Sequence, residues 1–241
     1  MTDGSWVVVV PAKPFTAAKT RCAGLDGSER SALARAMLVD VVGRLTRARR
    51  VRAVVVATTD PDVVGAALAS GAAVGGTTRG PDLNQEVLDA LSAAAAALPD
   101  ARLAVAMADL AGAEPSDFDD ALAAAGSRPR AIVSDADGTG TTMVMVAAPD
   151  EFRPFLGPDS RRRFLADGYH DLPVTGSGLR RDVDTVAHLV SLGIDRLGAA
   201  TRSWAGSPAG ARTGPPILPA SVDERDADPL VGALPDGRGT R

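Results

Sequence analysis

The chain has 241 residues, 45% of them hydrophobic and 23% charged, which is enough for one substantial core, and its formal net charge of −4 provides no overall positive field to draw it to nucleic acid or an anionic membrane. A single cysteine, Cys22, excludes an intramolecular disulfide framework and suggests a reducing compartment. No apolar run reaches the length of a membrane span and the N-terminal MTDGS lacks the basic region of a secretory signal, so a cytoplasmic protein is expected.

Short β-branched runs alternate with longer alanine-rich segments, the pattern of strands crossed over by helices, so the fold class is α/β. The first strand is WVVVVP, 6–11, and the loop after it, PAKPFTAAKTR, holds both lysines of the chain, Lys13 and Lys19, together with Arg21. Three cations on one loop suit the oxygens of a polyphosphate, which a lysine ammonium meets as a compact charge. A solvated loop is the alternative. The loop is not a Walker A cradle, because residues 12–18 contain no glycine to wrap a phosphate with backbone N–H groups.

A helix over 28–48 follows, with Asp26 or Ser28 as its cap and Leu33, Met37, Val41 and Leu45 along one stripe. A strand at 52–58 leads to a second helix opening at Pro61, capped by Thr59 or Asp60, and then to a short strand at 72–75. The third helix covers 83–98, the next strand 102–107, and the fourth helix begins at SDFDDALAAAG with Ser116 as its cap. Strands at 130–134 and 141–147 flank DADGTGTT, which lacks the third glycine of a dinucleotide fingerprint and is followed by a strand where that motif needs a helix. Asp135 and Asp137 read as turn residues.

In a sheet of this kind the ligand site lies beyond the carboxyl ends of the strands, where several of these loops belong. Asp109, in AVAMADLAG, ends a buried-looking strand, and Asp184, in RRDVDT, precedes a helix. Paired carboxylates so placed suit Mg²⁺, which takes one or two protein oxygens and leaves positions for phosphates and water. The structural alternatives are a helix cap for Asp184 and a turn for Asp109. GPDSRRR, 157–163, offers a helix N-terminus with Asp159 or Ser160 as cap, a second place for an anion or else the solvated face of a helix. His170 and His188 are too isolated to serve as ligands or bases. After residue 202 the texture becomes Pro- and Gly-rich without periodicity, so residues 1–202 are expected to form one domain and 203–241 a flexible tail.

Taken in order, AKPFTAAKTR, GPDLN, ADL, DGTGTT, GPDS and DVDT resemble the guanylyltransferases of coenzyme F-420 biosynthesis, which activate 2-phospho-L-lactate or phosphoenolpyruvate with GTP. The resemblance spans residues 6–198 and implies a three-layer nucleotidyltransferase fold of the nucleotide-diphospho-sugar transferase type with a mostly parallel sheet. It also implies roles: Asp109 and Asp184 hold Mg²⁺; Lys13, Lys19 and Arg21 meet the triphosphate, Lys19 also acting in catalysis; Asn84 lies near the nucleoside; and Thr139, Thr141, Gly157 and Ser160 contact the phosphorylated acid. GTP and one of the two acids are the partners it implies, and a homodimer is compatible with it. One departure stands out. The family's GDLP is ADLA here, with Ala108 for glycine and Ala111 for proline, which would restrict backbone approach and loosen the turn that aims Asp109. That departure keeps two other readings open, a nucleotidyltransferase of a sugar phosphate or molybdopterin and a non-catalytic nucleotide-binding relative.

Overall fold

The structure is a computed structural model and describes residues 5–75, 82–174 and 178–207. Seven strands form one sheet in the order β3-β2-β1-β4-β6-β5-β7. They are β1 (Trp6–Pro11), β2 (Val51–Ala57), β3 (Ala73–Gly75), β4 (Arg102–Ala106), β5 (Arg130–Ser134), β6 (Thr141–Val146) and β7 (His170–Asp171). All neighbouring pairs are parallel except those of β6, which runs antiparallel to both β4 and β5.

The alternation expected of a strand buried on both faces is explicit in β1. Val8 and Val10 enter one core with α1 (Gly27–Leu45), α2 (Pro61–Ala69) and α4 (Pro115–Ala125), while Val7 and Val9 enter a second core with α3 (Leu83–Ala97) and Phe164 of α5 (Ser160–Ala166). The result is the three-layer α/β arrangement implied by the sequence. A third cluster joins the outer side of α1 to α6 (Val186–Leu192) and α7 (Ala199–Ala205) through Met37, Leu189 and Trp204.

Helix starts follow local chemistry. Asp26 caps α1 in a reciprocal capping box with Glu29, and Asp60 caps α2 by accepting from the N–H groups of Asp62 and Val63. Ser116 is not the cap of α4. That position belongs to Glu114, whose N–H donates to Asp117 at 2.9 Å, because Pro115 starts the helix two residues earlier than the Ser116 reading requires. Asp159 stands at the start of α5 in a left-handed conformation with φ 54° and makes no side-chain cap bond. Helix α7 runs across the boundary drawn at residue 202, and Trp204 is buried, so the packed chain continues at least that far. The rest of the expected tail, 208–241, lies outside the described residues, as do Gly80 and Pro81 of GPDLN. Among the described residues no helix is long and apolar enough to cross a membrane.

This topology gathers the site. The carboxyl ends of β1, β4 and β5 and the amino end of antiparallel β6 fall on one edge, with Met107 N–H donating to Thr142 O at 3.0 Å where β4 gives way to its loop. Strand order diverges from β1 toward β2 on one side and β4 on the other, the place where open α/β sheets form a crevice.

Candidate active site

A cleft of about 720 Å³ opens at that edge, within the range of small-molecule sites. Its lining includes Lys13, Lys19, Arg21, Asp109, Thr139, Thr141, Gly157, Ser160 and Asp184, every residue singled out from the sequence except Asn84. The carboxamide of Asn84 is spent on the backbone of Leu156.

Two carboxylates from distant parts of the chain meet because one segment, 178–184, threads between the ends of β4 and β5. Val183 N–H donates to Asp109 O at 3.1 Å on one side, and Ala136 N–H donates to Arg180 O at 2.7 Å on the other. The approach is close enough that any side chain at Gly178 would collide with the backbone of Gly112 and Ala113, so only glycine passes there. Helix α6 begins just beyond, capped by Thr185, whose hydroxyl accepts from His188 N–H at 3.2 Å. Asp184 is therefore not the cap, and its carboxylate turns to the cleft.

A third aspartate joins them. Ligand atoms of Asp109, Asp182 and Asp184 all lie within 4.8 Å of one another. Burial, followed by the neighbouring Asp109 and Asp184 charges, pushes the Asp182 carboxyl up to about 6. Asp182 was legible in RRDVDT: alternate residues of an extended stretch face the same way, so a cleft-facing Asp184 brings Asp182 with it. Asp109 Oδ1 is buried without a hydrogen-bond partner among the described residues. An all-oxygen donor set with an orphaned carboxylate oxygen fits a hard divalent cation.

The cations of the first loop lie against these carboxylates. Lys19, whose side chain is 9% exposed, donates to Asp109 Oδ2 at 2.8 Å and to Val183 O at 2.6 Å, and Arg21 Nη1 donates to Asp184 Oδ2 at 2.8 Å. Lys13 lines the cleft and is exposed. Cys22 is buried beneath, its thiol 3.5 Å from Asp184 O and pushed up by burial.

The opposite wall is built from the loops around β5, β6 and α5. Asp135 is more than a turn residue: its carboxylate accepts from Thr139 N–H at 2.9 Å and Gly140 N–H at 2.7 Å, folding the loop so that Thr139 and Thr141 face the cleft. A side chain at Gly140 would strike that carboxylate. Thr141 Oγ is buried and unpartnered among the described residues, and Ser160 is buried.

The ADLA turn is held from outside. Ala111 is fully buried and its carbonyl accepts from Arg44 Nη1 at 2.6 Å, while Ala108 lines the cleft. The buried guanidinium of Arg44 thus braces the turn that carries Asp109.

With this arrangement established, sequence comparison is decisive. The family described as "Guanylyl transferase CofC like" matches residues 6–155. The chain belongs to that family. It is 39% identical over 186 residues to a phosphoenolpyruvate guanylyltransferase of Thermomonospora curvata, covering 77% of this chain and 82% of the relative. It is 36% identical over 215 residues to the protein of the same name from Geodermatophilus obscurus, covering 86% and 98%. Membership makes the protein an enzyme, a nucleotidyltransferase. Solved structures agree on the fold: a putative nucleotide-diphospho-sugar transferase from Desulfovibrio desulfuricans superposes with a TM-score of 0.61 at 18% identity over 87% of this chain and 94% of that one. A cytidylyltransferase from Leptospira borgpetersenii gives 0.51 at 13% identity over 82% and 90%.

Proposed function

We propose that the protein joins GMP from GTP to the phosphate of phosphoenolpyruvate or 2-phospho-L-lactate and releases pyrophosphate, a step of coenzyme F-420 biosynthesis. The observation that carries this reading is the meeting in one cleft of the cationic loop after β1, the aspartate trio and the wall formed by Thr139, Thr141, Gly157 and Ser160. The names of the relatives support phosphoenolpyruvate as the acceptor. GTP and the pathway are supported by the motif resemblance.

The acceptor phosphate is already ionised near neutral pH, so no general base has to take a proton. One of its oxygens attacks the α-phosphorus of GTP in line. As the new P–O bond forms, the bond from that phosphorus to the bridging oxygen breaks, and its electron pair leaves with pyrophosphate. What the protein must supply is alignment and charge, because two polyanions repel each other. Lys13, Lys19 and Arg21 supply positive charge on the nucleotide side, and the Thr141 and Ser160 hydroxyls supply donors on the acceptor side. Mg²⁺ held by Asp109 and Asp184, with Asp182 as a further oxygen donor, neutralises phosphate charge when bound.

The test is incubation with GTP, Mg²⁺ and, separately, phosphoenolpyruvate, 2-phospho-L-lactate or 3-phosphoglycerate, with the products read by mass. A product of acid plus GMP with either of the first two supports the proposal. Product with 3-phosphoglycerate alone, or with none of the three acids, overturns it.

A further inference from the structure

We infer that Asn84 is a positioning residue for the acceptor-binding loop and not a nucleotide contact. The inference rests on the proposed reaction for what that loop binds, while the contact itself stands on geometry alone.

Asn84 is the second residue of α3. Its own N–H is taken by the cap, Asp82 Oδ1, at 3.0 Å, which leaves the side chain to reach across to the segment before α5. There Oδ1 accepts from Leu156 N–H at 2.9 Å and Nδ2 donates to Leu156 O at 3.2 Å. One planar carboxamide thus satisfies both peptide groups of one residue, as a neighbouring strand would. Among side chains only an amide sets a neutral donor and an acceptor side by side in this way. Leu156 is 7% exposed, so water is a poor substitute for either bond.

Leu156 is the first residue of the run Leu156–Ser160, all of which lines the cleft. Beyond that run Arg161 N–H donates to Thr139 O at 3.2 Å, and within it Pro158 O accepts from Arg163 Nη2 at 2.7 Å. Asn84 therefore fixes the entry of the loop and Arg161 its exit, with Gly157 and Ser160 suspended between. Releasing the entry lets Gly157, at φ 129°, and the Ser160 hydroxyl drift from the acceptor without touching the cationic loop after β1.

The experiment compares Asn84→Ala and Asn84→Asp with the unaltered protein by steady-state kinetics and by amide hydrogen exchange. Aspartate keeps an acceptor for Leu156 N–H but sets a carboxylate oxygen against Leu156 O, so it should act in the same direction as alanine. Both variants are expected to raise the acceptor KM roughly tenfold, with the GTP KM and the preference for GTP over ATP unchanged. A base contact behaves differently: aspartate can accept from guanine N–H groups, so the GTP KM or the nucleotide preference would move. Such movement without a change in acceptor KM, or no change in either, overturns the inference. Exchange at the Leu156 amide gives a readout independent of turnover. It should quicken in Asn84→Ala while the β1 amides stay protected, and retained protection at Leu156 also overturns the inference. If Asn84→Ala does not fold, the near-isosteric Asn84→Leu, which likewise lacks both the donor and the acceptor, carries the same measurements. If the unaltered protein makes no product with any of the acids, the functional reading fails, and exchange at Leu156 still decides the clamp.

Discussion

Lys19 Nζ lies 2.8 Å from Asp109 Oδ2, so the loop that follows the first strand is pinned to the carboxylate that follows the fourth. Lys19 adopts the left-handed conformation, with φ 53°, to make this reach. The ammonium group and a divalent cation seek the same oxygens. Replacing Lys19 with methionine should tighten Mn²⁺ or Mg²⁺ binding to the nucleotide-free protein, by roughly tenfold on the scale of a partly buried charge pair. Turnover should nevertheless fall, by about 10²-fold, because a charge on the nucleotide side is lost. Calorimetric titration with the metal checks the first half, and an affinity that is unchanged or weaker would show that Lys19 does not set the charge of the site.

Asp109→Asn and Asp184→Asn should each lower turnover by about 10²-fold or more. The two readings of Asp184 separate on stability. Thr185 caps α6, so Asp184→Asn should leave the denaturation midpoint close to that of the unaltered protein, within the ~0.5 kcal/mol of an ordinary surface change. A variant that keeps full Mg²⁺-dependent turnover and loses stability would return Asp184 to a structural part.

Asp182 gives the site a pH signature. Its carboxyl is raised to about 6 in the fold from an ordinary value of 3.8, so the native state holds this proton more tightly than the unfolded chain does. Stability from this group is therefore greatest below about pH 4 and declines as pH rises through about 6. In metal-free protein Asp182→Asn should abolish that part of the decline, raising the melting temperature above pH 6 with little effect below pH 4. Melting curves in chelator across this range test it, and a variant that melts lower than the unaltered protein at pH 7 would contradict the electrostatic account.

Much of the site was legible because strand ends announce themselves. An apolar run such as WVVVVP or RLAVA stops where polar residues begin, and in a parallel sheet that stop is the ligand edge. What the sequence concealed was contact across long separations. Nothing around Asn84 signals that its amide serves Leu156, 72 positions away, and nothing in VVGRLT signals that Arg44 braces the ADLA turn. The antiparallel course of β6, which brings Thr141 to the same edge as Asp109, likewise depends on pairing with β4 and not on local composition. The cap of α4 was misread for a local reason, since Ser116 is a good capping residue but Pro115 already occupies the first turn.

The Arg44 brace makes the last prediction. Its guanidinium is 4% exposed and serves three acceptors: Ala111 O at 2.6 Å, Glu114 Oε1 at 2.9 Å and Arg196 O at 2.9 Å. The turn carrying Asp109 has alanine at 111 where proline would restrict the backbone, so this cation supplies a constraint that the turn itself lacks. Arg44→Met should destabilise the protein by about 3 kcal/mol, since it leaves carbonyls unsatisfied in the interior. It should also weaken divalent-cation binding at conditions where the variant remains folded, because Asp109 is no longer aimed. Arg44→Lys should fall between, as a single ammonium cannot span acceptors on α1's two flanks in the manner of a planar fork. Chemical denaturation gives the stability order and metal titration gives the order in affinity; a loss of stability with metal affinity intact would make Arg44 a core residue with no bearing on the site.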